Sequence, residues 1–462
     1  MRTRRFAALA VTVTTLAAAC TTDRAPDPPA TGGPERTQGG VLIASTGSGD
    51  LAIDATSGAL LAGGAGALAA PDGNMLYQAT SAGRSTSITS VDPRSGETMG
   101  TQHVRGELDV AVASISGRAI ALVEPVPGAV PGVPVPRTET TIVVADLVVG
   151  DEPMRFRLDG NYEPEAFSID DGRLFMIQYL PAETPAVYRV VVLELASGEV
   201  RPVHGRFKTP PQRMPGVRLG QVFDPITSQM YTLYSNRPGT YANAYEDTGG
   251  TSPYGGASYD SGPGASSDSG NSDNSEESRG VGDESDANGY WPEETFVHVL
   301  NLRRGWAFCA GLPKVLWGGA AGDQAIAASP DGRSLYVVDA RQGLVAVMDT
   351  ETLEVEHTGR VDLGTVDGRT SVATSPDGDT LFVASSSDDR PLFAIDTASL
   401  TLADSWTAPG PISGLGTSLD GTALFAAAGE RIDILDLATG DAVASLPTPG
   451  LAPIVSLNLL PD

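Results

Sequence analysis

The chain has 462 residues, 41% of them hydrophobic, which is ample for a buried core. Its 57 acidic residues outnumber 30 basic ones, for a formal charge of -27, and only Lys208 and Lys314 are lysines. Duplex binding draws on a cationic surface, so a general nucleic-acid binder is excluded, and two cysteines exclude both a disulfide framework and a Cys-rich zinc site.

Arg2, Arg4 and Arg5 precede an apolar run from Phe6 to Ala19, the layout of an export signal and too short for a membrane span. The run ends in Leu16-Ala17-Ala18-Ala19-Cys20, which resembles a bacterial lipoprotein signal. That resemblance implies cleavage after residue 19 and acylation of Cys20. It differs from the usual pattern in that the leucine sits one place early, and an ordinary secretory signal is the alternative. Residues 20–39, rich in Thr, Pro and Gly, read as a flexible tether. The remainder, 40–462, reads as a single repeat domain.

Two turns alternate along that domain. The first occurs at Ala70-Pro71-Asp72-Gly73, Ser116-Gly117, Asp171-Gly172, Asp224-Pro225, Ser329-Pro330-Asp331-Gly332, Ser375-Pro376-Asp377-Gly378 and Asp420-Gly421, each between short runs of β-forming residues. The second follows Asp54, Asp92, Asp146, Glu194, Asn301, Asp349, Asp396 and Asp436. If the first joins strands a and b and the second joins c and d, each repeat is a four-stranded antiparallel propeller blade. Residues 41–64 then supply only strands b, c and d of one blade, and Pro453 to Leu460 supply its a strand, closing the ring without an open sheet edge. The expectation is an all-β propeller of eight blades, or seven if the repeat around Asp146 is incomplete.

In this topology the b–c loops and the d–a links share one face. Its long loops fall in consecutive blades: Glu124 to Thr138, Leu180 to Ala186, and an insert over 237–292. The insert is acidic and low in complexity; Asp268, Asp273, Glu276 and Glu277 are its candidate calcium or partner ligands, against a solvated spacer as the plainer reading. Arg201, Arg206, Lys208, Arg213 and Arg218 reverse the sign of the chain locally, with no acidic residue between 201 and 218. They form a candidate binding rim beside the insert; the alternative is a solvated connector.

The unit Ser-Pro-Asp-Gly, Leu-Tyr-Val, Val-Asp-Thr resembles the YVTN-type, WD40-like β-propeller repeat of exported bacterial proteins. It matches residues 324–446 well and 41–312 loosely, with Tyr336-Val337-Val338-Asp339 in place of the literal motif. The turns after Asp54 and Asp436 also look like those of eight-bladed quinoprotein propellers. Those carry a Trp where this chain has Ala and Leu, which argues against a pyrroloquinoline quinone enzyme.

Catalytic signals are weak. His103, His204, His298 and His357 lie in different repeats without metal-ligand spacing, and Cys309 sits in an apolar run that favours a buried position. There is no nucleophile elbow and no phosphate-binding Gly-rich loop. No cofactor, metal or catalytic residue is expected. The leading reading is a monomeric, lipid-anchored propeller on the extracytoplasmic face of the cell membrane, binding an envelope protein, glycan or other ligand. A propeller enzyme of lactonase or lyase type and a purely structural envelope component are the alternatives. Abundant Ala, Gly and Arg with scarce Lys resembles high-GC actinobacterial coding.

Overall fold

The computed structural model describes residues 40–126, 134–147, 150, 152–209, 211–236, 295–317, 322–364, 366–387, 391–408, 410–448 and 454–460. The expected signal and tether, with Cys20, and the insert over 237–292 lie outside them. The described strands form eight four-stranded antiparallel sheets, the blades of a propeller. In blade order, from 1 to 8, the inner, a, strands are Ile454–Leu460, Ala67–Ala69, Asp109–Ala113, Asn161–Phe167, Val217–Asp224, Gln324–Ala328, Thr370–Thr374 and Gly414–Thr417. The repeat around Asp146 is a complete sheet, blade 3, so the count is eight. Blade 1 combines both chain ends as expected: its a strand pairs with Val41–Thr46 from Val41↔Leu460 to Thr46↔Ile454.

Turn chemistry accounts for the hairpins. In blade 6 the Ser329 hydroxyl donates to Asp331 at 2.6 Å and accepts from the Ser334 amide at 2.9 Å, while Gly332 takes a φ of 68°. Blades 7 and 8 repeat this with Ser375–Asp377 and Ser418–Asp420. These hydroxyls hold Asp331, Asp377 and Asp420 below the usual carboxylate range, so the repeated aspartates are turn residues. In the c–d turns the carboxylate precedes the turn and accepts from the residues that follow it, as Asp54 does from the Thr56 and Ser57 amides and the Ser57 hydroxyl.

Each blade is sandwiched between two others, so its middle strands are buried on both faces. Leu344–Met348 are all buried, whereas the outer strand Thr401–Thr407 is mostly exposed. The core is therefore divided among the blade interfaces. One cluster, for instance, packs Phe175, Ile177 and Val190 of blade 4 against Met230, Tyr234 and Phe296 of blade 5.

The link from blade 4 to blade 5 follows a course that its sequence does not reveal. The outer strand of blade 4 is only Val200–Pro202, and Pro202 has no N–H to extend the ladder. The chain leaves the sheet early and crosses the outer edge strand of blade 5, Trp306–Gly311. There Gly205 forms a parallel bridge with Ala307, the His204 carbonyl accepts from the Ala307 amide at 3.1 Å, and Gln212 accepts from the Cys309 amide at 3.0 Å. Donors that would otherwise mark an open edge are thus engaged.

Candidate functional site: the loop-bearing mouth of the channel

The inner strands enclose a central cavity of about 870 Å³. Much of its wall is small, with Ala69, Ala111, Ala166, Ala327, Ala373 and Gly416 contributing. Its charged lining residues are Asp50, Asp72, Glu163, Glu165 and Arg218. Three of these five come from the facing inner strands of blades 4 and 5.

Two β-bulges bring them together. In Asn161–Phe167 the register slips between Pro164 and Ala166, leaving Glu165 as the extra residue. Tyr162 and Phe167 consequently both pack toward blade 3, although five residues apart, where strict alternation would oppose them. Ahead of and within the slip, Glu163 and Glu165 line a common recess against blade 5. In Val217–Asp224 the register slips between Arg218 and Gly220, so Arg218 and Gln221, three apart, both reach Glu165. A guanidinium nitrogen of Arg218 lies 3.6 Å from the Glu165 carboxylate, and the Gln221 amide donates to Glu165 at 2.7 Å and to Thr232 at 3.1 Å.

Electrostatics follow from depth. Burial pushes the Glu165 carboxyl above the usual carboxylate range, outweighing the pull of Arg218 and Gln221 in the other direction. Glu165 in turn holds the Arg218 guanidinium firmly charged. The Arg218 side chain keeps 35% of its surface accessible, while that of Glu165 keeps 6%. Glu163 accepts from the Tyr179 hydroxyl at 2.7 Å; burial, reinforced by Glu163, raises that phenol well above its ordinary value. Behind them Tyr179, Tyr188, Tyr234 and Phe296 form a row of ring contacts with centroids 5.2 to 6.0 Å apart.

The cluster stands at the face of the long b–c loops. Arg137, where the proline-rich loop of blade 3 rejoins its sheet, donates to Asn161 at 3.0 Å, and Asn161 donates to the Val135 carbonyl at 2.8 Å. Burial lowers the Arg137 pKa, with Glu163 and Tyr179 opposing that shift. The insert of blade 5 leaves and re-enters beside the same cluster, between the paired residues Ser235 and Thr295.

The five basic residues expected to share one rim are divided. Arg201 pairs with Glu194 of its own blade at 2.6 Å. Arg206 stacks on Phe207 and Trp306, donating to the Thr352 carbonyl at 3.0 Å and to that of Glu351, in the c–d turn of blade 6. That turn belongs to the face opposite the b–c loops, so Arg206 lies away from the insert's ends. Lys208 and Arg213 are exposed, and Arg218 alone lines the channel.

The histidines are likewise separate. His103, His204 and His357 are exposed; His298 is buried in the third strand of blade 5, opposite the buried Cys309. Among the described residues no group of three or more His, Cys, Asp and Glu side chains is arranged to hold a metal ion. Glu163, Glu165 and Gln221 escaped the sequence reading, though Glu163-Pro164-Glu165 carries a usable signal. Proline in a strand marks an edge or a bulge, and an inner strand is the edge that faces the channel.

No family model matches this chain, and no curated protein does. Solved structures similar in fold include apo AztD from Citrobacter koseri, with 9% identity, a TM-score of 0.52, and coverage of 91% of this chain and 98% of that one. A second crystal structure of Citrobacter koseri AztD matches at 10% identity and a TM-score of 0.51, covering 91% and 97%. The dihydro-heme d1 dehydrogenase NirN in complex with DHE is 14% identical with a TM-score of 0.49, over 94% of this chain and 77% of that one. At these identities the likeness is one of fold.

Proposed function

We propose that this chain is a lipid-anchored, extracytoplasmic β-propeller of the YVTN repeat class, and that it binds a component of the cell envelope at the loop-bearing mouth of its channel. The observation that carries the binding reading is the charged cluster of Glu163, Glu165 and Arg218, built by two bulges on facing inner strands. Bulges that re-aim side chains recur beside functional sites, and charged groups around a cavity otherwise carry a desolvation cost without return. The anchor is supported by the arginine-led apolar run and the small residues before Cys20. Cofactor chemistry has no part in this reading, and a monomer suffices for it.

The test is capture from envelope extract by the immobilised chain, beside a Glu163→Gln/Arg218→Met variant of matched thermal stability. The expected result is a saturable component retained by the parent and lost from the variant. Equal capture by both would move the site away from the channel.

A further inference from the structure

We propose, building on that binding reading, that the cluster is a subsite for a neutral polyhydroxylated ligand, a saccharide unit whose neighbouring hydroxyls are shared between Arg218 and Glu163. Charge comes first. The carboxylates of Glu163 and Glu165 are offset by Arg218 and by Arg137, which feels the field of Glu163. The cluster itself is therefore balanced, while the channel wall as a whole stays acidic, so a cation is the charged ligand that a titration must set against a neutral one. An anion would also meet Asp50 and Asp72 along the wall and a chain of net charge -27. For a cation, Glu165 is already occupied by Gln221 and Arg218, and one oxygen of Glu163 by Tyr179.

Directional capacity is what remains. The 3.6 Å contact from Arg218 to Glu165 is longer than the ~2.7–2.9 Å of a charge-assisted hydrogen bond, and guanidinium carries about five N–H donors. Its side chain is 35% accessible, so donors are available to a ligand in the cavity. Glu163 lines the same recess as Arg218 and keeps a second carboxylate oxygen for a donor. A hydroxyl group both donates and accepts, so two adjacent hydroxyls satisfy a guanidinium and a carboxylate together. An isolated amine or carboxylate satisfies only one of them. The alanine-rich wall suits the C–H face of a sugar ring, and about 870 Å³ falls within the ~300–1,000 Å³ range of small-ligand sites.

The experiment is calorimetric titration of the full chain with neutral linear oligosaccharides of two to four units, in gluco, manno, galacto and arabino series. Oligogalacturonates and glucosamine oligomers serve as charged counterparts. At least one neutral series is expected to bind, with the charged counterparts weaker by about tenfold or more. Glu163→Gln and Arg218→Met should each weaken binding by about tenfold, the loss of one hydrogen bond to a charged group. Arg201→Ala, on the outer strand of blade 4, should leave it unchanged.

Because removing Arg218 strands Glu165, Arg218→Met/Glu165→Gln is measured beside the single change, with thermal melts to establish folding. Preferred binding of a charged oligomer through the same residues overturns the ligand class and leaves the binding reading standing. Saccharide binding indifferent to both substitutions overturns the assignment of residues. If no saccharide binds the folded chain, the inference fails, while cluster-dependent capture from extract decides the binding reading separately.

Discussion

Acidification tests the packing behind the site through His298. This side chain is 4% exposed in the third strand of blade 5, its Nε2 has no hydrogen-bond partner among the described residues, and the edge-on ring of Tyr234 stands 6.3 Å away. Thr232 and Cys309 face it from the flanking strands. Burial lowers its pKa from 6.5 to about 4. A base whose folded pKa is depressed binds its proton less readily when folded, so the unfolded chain holds more protons between pH 6.5 and 4. Stability from this group is present above pH 6.5 and falls as the pH drops through that window. Taking 6.5 and 4 as the two values, the loss between pH 7 and pH 5 is about 2 kcal/mol, approaching about 3 kcal/mol at pH 4. Glu165 and Asp50, both raised by burial, act in the opposite direction, so the whole-protein profile does not isolate His298. A His298→Leu variant does, because those carboxyls titrate in both proteins and cancel in the difference. Urea midpoints at pH 7, 6 and 5, with constant m, should show the parent losing about 2 kcal/mol relative to the variant. A difference that stays flat to within about 0.5 kcal/mol over this range would refute the assignment of a buried neutral imidazole.

Two further predictions concern residues that a charge count treats alike and the anchor that it does not reach. Arg206→Ala should destabilise the fold by about 1 to 2 kcal/mol, since it releases the link from the blade 6 turn and from Trp306, whereas Arg201→Ala should cost less than about 0.5 kcal/mol as a solvent-exposed ion pair. Urea melts separate them, and equal shifts would contradict the claim that Arg206 ties the link to the blade 6 turn. Cys20→Ala should abolish incorporation of radiolabelled fatty acid; labelling retained in that variant would exclude acylation at Cys20.

Local chemistry is what the sequence makes legible. Ser329, Asp331 and Gly332 bond within their own turn, so the hairpin, its period and the eight blades can be read without knowing any distant contact. Ring closure is legible for a related reason: an unpaired set of three strands at one end and a lone strand at the other can complete a blade only with each other. The basic strip misleads because charge sign is a one-dimensional property. Between Arg206 and Arg218 the link passes from the c–d turns to the start of an inner strand, so residues twelve apart in sequence end at opposite faces.

Glu165 shows the other kind of limit. Its partners Arg218 and Gln221 lie 53 and 56 residues on, in the next blade, and they meet it only because each strand carries one residue more than alternation allows. A bulge is set by packing: Phe167 stays on the blade 3 side and Ala166 on the blade 5 side, whatever happens between Pro164 and Ala166. The inner strand of blade 6, Gln324–Ala328, shows the contrast, since it runs without a register slip and brings only Ile326, Ala327 and Ala328 to the channel. The inner strands of blades 1, 3, 4 and 5 carry register slips, and those of blades 3 and 5 lie beneath the two longest b–c loops. A bulge increases twist and re-aims side chains, and in blades 4 and 5 the bulged strands are the ones that carry Glu163, Glu165 and Arg218 to the channel. In these two blades the same departure from regular pairing thus builds the charged part of the channel wall at the face from which the b–c loops emerge, and this is the sector in which the proposed ligand site is placed.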